Sequence, residues 1–101
     1  MDIFELISLK GTSRILLALH RNGQLTYSEL VKIIGYSTTT SRALKRLMKL
    51  ELINRKVLDK DYRPVIYYLT EDGKELVKII QQLLNFQRKI IEAKKDKTSK
   101  Q

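Results

Sequence analysis

Four basic side chains, Arg42, Lys45, Arg46 and Lys49, fall within one short segment together with Thr38, Thr39 and Ser41, and no Asp or Glu lies among them. Guanidinium and ammonium groups bind phosphate oxygens, and Ser, Thr and Arg also read base edges in a DNA major groove. The segment 37–50, STTTSRALKRLMKL, has helical spacing. At about 100° per residue, Ala43, Leu44, Leu47, Met48 and Leu50 share one side, and Thr38, Ser41, Arg42, Lys45, Arg46 and Lys49 share the other. Solvated helix faces usually pair Glu with Lys at four-residue spacing. Here each charge repels the next, so the face calls for something negative opposite it. The chain as a whole agrees, with 20 Lys plus Arg against 11 Asp plus Glu and a formal charge of +9. Nucleic acid is the first partner that such a surplus suits, and an anionic membrane surface the second.

Other chemistries find little support. There is no cysteine, which removes disulfides, thiolate catalysis and cysteine-ligated metals, and His20 is the only histidine. Glu29, Asp59, Asp61, Glu71 and Asp72 fall at helix caps and turns, where structure accounts for them, and no nucleophile–base pair is suggested. The sequence therefore predicts no enzyme activity, no catalytic residues, no metal and no cofactor. His20 and the five tyrosines could line a ligand cleft, although core or surface positions are the simpler account; no effector is named by them. The acidic opening Met1–Glu5 is unlike a secretory signal. No apolar run approaches the ~18–20 residues that span a bilayer. The expectation is a soluble cytoplasmic protein, associated with the nucleoid.

The elements around the basic segment follow from local signals. Ile3, Leu6 and Ile7 open with a short amphipathic stretch, and Gly11-Thr12-Ser13 reads as the cap of a helix whose Ile15, Leu16, Ala18 and Leu19 share a face. Asn22-Gly23 ends it. Gln24-Leu25 could be a short strand. Thr26-Tyr27-Ser28-Glu29 is a capping box for a helix carrying Leu30, Ile33 and Ile34, which stops at Gly35. Ser37 or Thr38 should cap the basic helix. The period then changes: 52–58 (LINRKVL) and 65–69 (VIYYL) alternate and are rich in β-branched and aromatic residues, with turn chemistry between them, so a hairpin is expected. On it, Lys60 and Arg63 are candidate DNA contacts at the tip, opposed by Asp59 and Asp61. Arg55 and Lys56 should alternate in facing. Thr70 caps a final helix running to about Lys95.

The order helix, helix, helix, hairpin, long helix is that of a winged helix-turn-helix. Leu30-Val31-Lys32-Ile33-Ile34-Gly35-Tyr36-Ser37 followed by Thr39-Thr40-Ser41-Arg42-Ala43-Leu44-Lys45-Arg46-Leu47 resembles the helix-turn-helix of MarR-like and PadR-like winged-helix transcriptional regulators, and Leu52-Ile53 their approach to the wing. Tyr67-Tyr68-Leu69-Thr70-Glu71-Asp72-Gly73-Lys74-Glu75-Leu76 is similar to their strand-to-helix junction. Thr40 stands where these proteins often carry an apolar residue. The resemblance covers about residues 14–76 and implies a recognition helix at about 37–50 and a wing at about 52–69.

Leu76, Ile79, Leu83, Phe86, Ile90 and Ala93 recur at coiled-coil spacing, beside a second stripe of Val77, Ile80, Leu84 and Ile91. Two adjacent stripes on so long a helix exceed what one small domain can cover, so Leu76, Ile79, Leu83, Phe86 and Ile90 are expected to form a homodimer seam. The fold expected is mainly α with a small β-hairpin: a winged helix-turn-helix over 1–70, a dimerisation helix over 71–95 packed on it, and a polar tail over 96–101. The function expected is that of a sequence-specific transcriptional regulator binding double-stranded DNA as a homodimer. The nearest alternative is non-specific architectural binding, since the plan is also similar to that of small archaeal chromatin proteins and the Lys and Ile content would suit an archaeal source. A winged helix that meets an acidic protein partner is the third reading.

Overall fold

The computed structural model describes residues 2–58 and 64–99, with side-chain environments as far as Lys94. The element order is α1 (Ile3–Ser8), α2 (Thr12–Asn22), β1 (Gln24–Thr26), α3 (Tyr27–Ile34), α4 (Ser37–Lys49), β2 (Ile53–Val57), β3 (Val65–Leu69) and α5 (Glu71–Ser99). Among the described residues no helix is long and apolar enough to cross a membrane.

The hairpin is part of a larger sheet. β3 pairs antiparallel with β2, in register Ile53↔Leu69 through Val57↔Val65, and on its other side with β1, Gln24↔Tyr68 through Thr26↔Ile66. The sheet is thus three-stranded in the order β1-β3-β2. β3 is the central strand and buries Ile66, Tyr67 and Leu69, whereas β2, at an edge, buries only Ile53. Arg55 and Lys56 are therefore both exposed, where alternation across a covered sheet would have hidden one of them.

Local chemistry starts and stops the helices. The capping box at α3 is complete: Glu29 N–H donates to Thr26 Oγ1 at 3.2 Å, and Thr26 N–H donates to Glu29 Oε1 at 2.9 Å. That backbone bond from Thr26 is the main reason the Glu29 carboxyl is held below its ordinary pKa. Gly23 and Gly35 close α2 and α3 with positive φ. Two of the other expected caps differ. Thr12 lies inside α2, fully buried, and its Oγ1 donates to Leu6 O at 2.6 Å and Leu9 O at 3.0 Å; Gly11 takes the cap position. Thr12 and Ser13, whose Oγ donates to Ile7 O, thus fasten α1 to α2. At α4 the cap is Tyr36, with no side-chain acceptor for the first turn. Thr40, fully buried, donates its hydroxyl back to Tyr36 O at 2.7 Å. Satisfied in this way, the hydroxyl lets threonine stand at an apolar position.

The core joins Leu6 of α1, Ile15, Leu16 and Leu19 of α2, Leu30 and Ile34 of α3, Ala43, Leu44 and Leu47 of α4, the sheet, and Leu76, Val77 and Ile80 of α5. Each such Leu or Ile contributes about 1.5–3 kcal/mol. Ile33 and Leu50 do not join it and stay 38% and 43% exposed, because each lies at the margin of its helix's apolar face, next to the last turn. α5 packs on α2 and β3 with its first turns, then continues. Its backbone runs past the expected end near Lys95 to Ser99, through residues that include neither Gly nor Pro.

α4 ends in a Schellman turn: Leu52 N–H donates to Leu47 O and Glu51 N–H to Met48 O, both at 3.0 Å. This places Glu51 at φ +57°, the one positive-φ residue other than glycine among those described. Glu51→Gly removes the Cβ clash of that conformation but loosens the unfolded chain. The net expectation is a gain of about 0.5–1 kcal/mol, read as a higher urea midpoint; a lower midpoint would show that the Glu51 side chain itself stabilises the turn.

Candidate nucleic-acid interface

α4 is held by α2, α3 and β2, and it presents one face to solvent. Ala43, Leu44 and Leu47 anchor it in the core. On the opposite face Thr38, Ser41, Arg42, Lys45 and Lys49 are exposed, while Thr39 and Arg46 are half-buried. Thr39 is drawn in by the α1–α2 loop. Gly11, at φ +91°, lies so close that a Cβ there would meet Thr39 Cγ2 at 3.3 Å. The start of α4 thus seats directly on the loop that follows α1.

Two residues not singled out in the sequence adjoin this face. Tyr27, the first residue of α3, brings its hydroxyl to Ser41 Oγ at 2.7 Å and to Ser37 O at 3.3 Å. Lys10 places Nζ 5.4 Å from the ring centroid of the exposed Tyr36, a cation–π contact beside the N-terminus of α4. No local signal in the sequence marks either, because both contacts join residues of different elements.

The wing-tip candidates Lys60 and Arg63 lie outside the described residues. Of the candidate seam, Leu76 is only 8% exposed and belongs to its own chain's core, since the first turns of α5 are covered by α2 and β3. Ile79, Leu83, Phe86 and Ile90 are 53%, 53%, 61% and 39% exposed, and Leu84 and Ile91 beside them are also exposed. His20 is exposed between two open grooves, one lined by Gly23, Tyr68, Glu71 and Lys74, the other by Leu17, Arg21, Gln81 and Leu84.

A basic, acid-free helix set after a capped helix and a glycine turn, followed by a hairpin, is a winged helix-turn-helix, and a sequence profile of the HxlR-like helix-turn-helix family matches residues 6–95. The chain belongs to that family. HxlR-like proteins share the wider winged-helix class anticipated from the MarR-like and PadR-like resemblance. Solved structures agree. The transcriptional regulator YodB from B. subtilis, in its reduced form, superposes with a TM-score of 0.74 at 27% identity, over 82% of each chain. A MarR family transcriptional regulator from Silicibacter pomeroyi gives 0.69 at 29% identity, over 83% of this chain and 56% of its own. NadR in complex with 4-hydroxyphenylacetate gives 0.75 at 25%, over 89% and 64%. The chain thus spans most of YodB but less than two thirds of the other two. No curated protein sequence matches it, and none of these likenesses supports an archaeal source. The HxlR-like chain is a mostly helical winged-helix protein of a class of DNA-binding transcriptional regulators.

Proposed function

We propose that this HxlR-like chain is a sequence-specific, double-stranded DNA-binding transcriptional regulator that acts as a homodimer in the cytoplasm, on the nucleoid. The observation that carries the reading is the exposed face of α4, where Arg42, Lys45 and Lys49 stand with Thr38 and Ser41 and without a carboxylate. Arg42, Lys45, Arg46 and Lys49 neutralise phosphates or bond to guanine, and the hydroxyls of Thr38, Thr39 and Ser41 lie near base edges in the major groove. The wing, on which Arg55 and Lys56 are exposed, lies against the minor groove or its phosphates, with Lys60 and Arg63 as further candidate contacts from the sequence.

The homodimer rests on α5. Ile79, beside the core residues Val77 and Ile80, and then Leu83, Phe86 and Ile90 as the helix continues past the core, are all exposed. A second copy of the same helix would cover them, and a two-fold axis would set two α4 helices about one DNA turn apart, against a palindromic site.

Competition separates this from its rivals. A duplex selected by the protein from a random pool should be held at least roughly 10³-fold more tightly than unrelated duplex. Equal competition by unrelated DNA would leave only architectural binding. A protein that shifts no duplex at low salt would be a protein-binding winged helix instead.

A further inference from the structure

The loop between α1 and α2 is locked against the start of α4. On one side it is tied back to α1: Thr12 Oγ1 donates to Leu6 O at 2.6 Å and Leu9 O at 3.0 Å, and Ser13 Oγ donates to Ile7 O at 3.2 Å. On the other side it rests on α4, where a Cβ on Gly11 would meet Thr39 Cγ2 at 3.3 Å and Ala43 Cβ at 3.7 Å. The backbone of Lys10, between these restraints, is therefore fixed beside the first turn of α4. Its side chain is directed as well. Nζ stands 5.4 Å from the ring centroid of Tyr36, the residue that opens α4, which is 64% exposed. Among the described residues no carboxylate pairs with Lys10, so its charge is left without a counterpart.

A free lysine side chain samples many rotamers, and fixing one costs entropy. The π-face of Tyr36 attracts the ammonium and narrows that choice to positions beside the helix start. Dimensions decide what the ammonium meets when α4 lies in DNA. A major groove is about 12 Å wide, and a helix with its side chains is about 10–12 Å across. A helix in the groove therefore fills it, and groups flanking its first turn face the phosphates of the groove wall. Recognition helices approach the bases with their N-terminal residues, which sets Tyr36 and Lys10 at that wall. We infer that Lys10 is a phosphate contact supplied from outside the helix-turn-helix and the wing, and that Tyr36 is a positioning residue whose ring holds the ammonium in place. Phosphates carry no sequence information, so this contact adds affinity and no base preference. It rests on the reading of α4 as the major-groove helix.

The test uses the full chain and two duplexes, one selected from a random pool and one unrelated, each titrated across a salt series. The variants are Lys10→Ala, Tyr36→Phe, Tyr36→Leu and Lys10→Ala/Tyr36→Leu, with circular dichroism to verify folding. Lys10→Ala should weaken both duplexes by the same factor, roughly tenfold, and lower the salt slope by about one ion per protomer. Tyr36→Leu should weaken binding by roughly two- to fivefold per protomer, the range of an exposed cation–π contact, and should add nothing once Lys10 is alanine. Tyr36→Phe keeps the ring and should bind as the wild type does. Additive losses in the double variant would mean that Tyr36 acts on DNA by itself, and Tyr36→Phe as weak as Tyr36→Leu would assign the effect to the hydroxyl; either overturns the inference. So does a wild-type slope in Lys10→Ala while Arg42→Ala/Arg46→Ala lowers it, an outcome that leaves the reading of α4 standing. A wild type that shifts no duplex would overturn the DNA-binding reading itself, a distinguishable failure.

Discussion

Gly73→Ala is expected to destabilise the fold by about 3 kcal/mol or more, although in an exposed helix the same change stabilises by about 1 kcal/mol. The sign is set by one backbone oxygen. A Cβ on Gly73 would lie 2.0 Å from Leu52 O, with Leu52 C at 3.1 Å and Leu69 Cδ2 at 3.2 Å. Leu52 O has no freedom to retreat, because it accepts from Thr70 N–H at 3.1 Å. Thr70 is doubly committed: Oγ1 donates to Glu51 O at 2.7 Å and accepts from Gly73 N–H at 3.1 Å. This knot joins the end of α4, the start of β2 and the first turn of α5. Opening it would cost several hydrogen bonds, and closing it around a methyl group is sterically barred. Thermal unfolding of the variant should show a midpoint lower by roughly 15 °C; an unchanged or raised midpoint would mean that α5 can shift freely away from β2.

Leu83→Glu combined with Phe86→Glu should convert the proposed homodimer into folded monomers. Both side chains are more than half exposed in the single chain, so the domain core does not depend on them. Burial of each in a two-fold seam would contribute about 1.5–3 kcal/mol, and a dimer loses each substitution twice. Placing carboxylates there adds like-charge repulsion across the axis. Sedimentation should give the mass of one chain with unchanged circular dichroism, and affinity for a two-half-site duplex should fall by orders of magnitude. A variant that remains dimeric would move the seam off the outer half of α5.

These two sites show where the sequence is readable and where it stops. The capping box at Thr26 and Glu29, the helix stops at Gly23 and Gly35, and the two faces of α4 are all encoded within a few residues, so periodicity and cap chemistry reveal them. The pairing of Gln24–Thr26 with β3 is not local, and three residues alone carry too little pattern to specify a partner strand. Thr12 and Ser13 have good capping chemistry, but carbonyls at Leu6, Leu9 and Ile7 claim their hydroxyls instead. The stripe on α5 is legible as apolar, yet the division between Leu76, covered by its own chain, and Ile79, Leu83, Phe86 and Ile90, left in solvent, depends on where α2 and β3 end. The Leu-Thr-x-x-Gly-x-x-Leu junction was visible as a resemblance; its physical reason, Gly73 passing Leu52 O, appears only when both elements are in place. Tyr27 was readable as a residue inside a cap motif and gave no sign of its bond to Ser41.

The most direct measurement is duplex DNA binding across a salt series, for the wild type and an Arg42→Ala/Arg46→Ala double variant. Phosphate contacts release counterions, so the wild type should weaken steeply with salt, with a slope corresponding to about 6–10 released ions for a dimer. The variant should bind more weakly and with a shallower slope. No binding by the wild type even near ~50 mM salt, where phosphate contacts are strong, or an identical slope in the variant, would contradict α4 as the DNA-binding face.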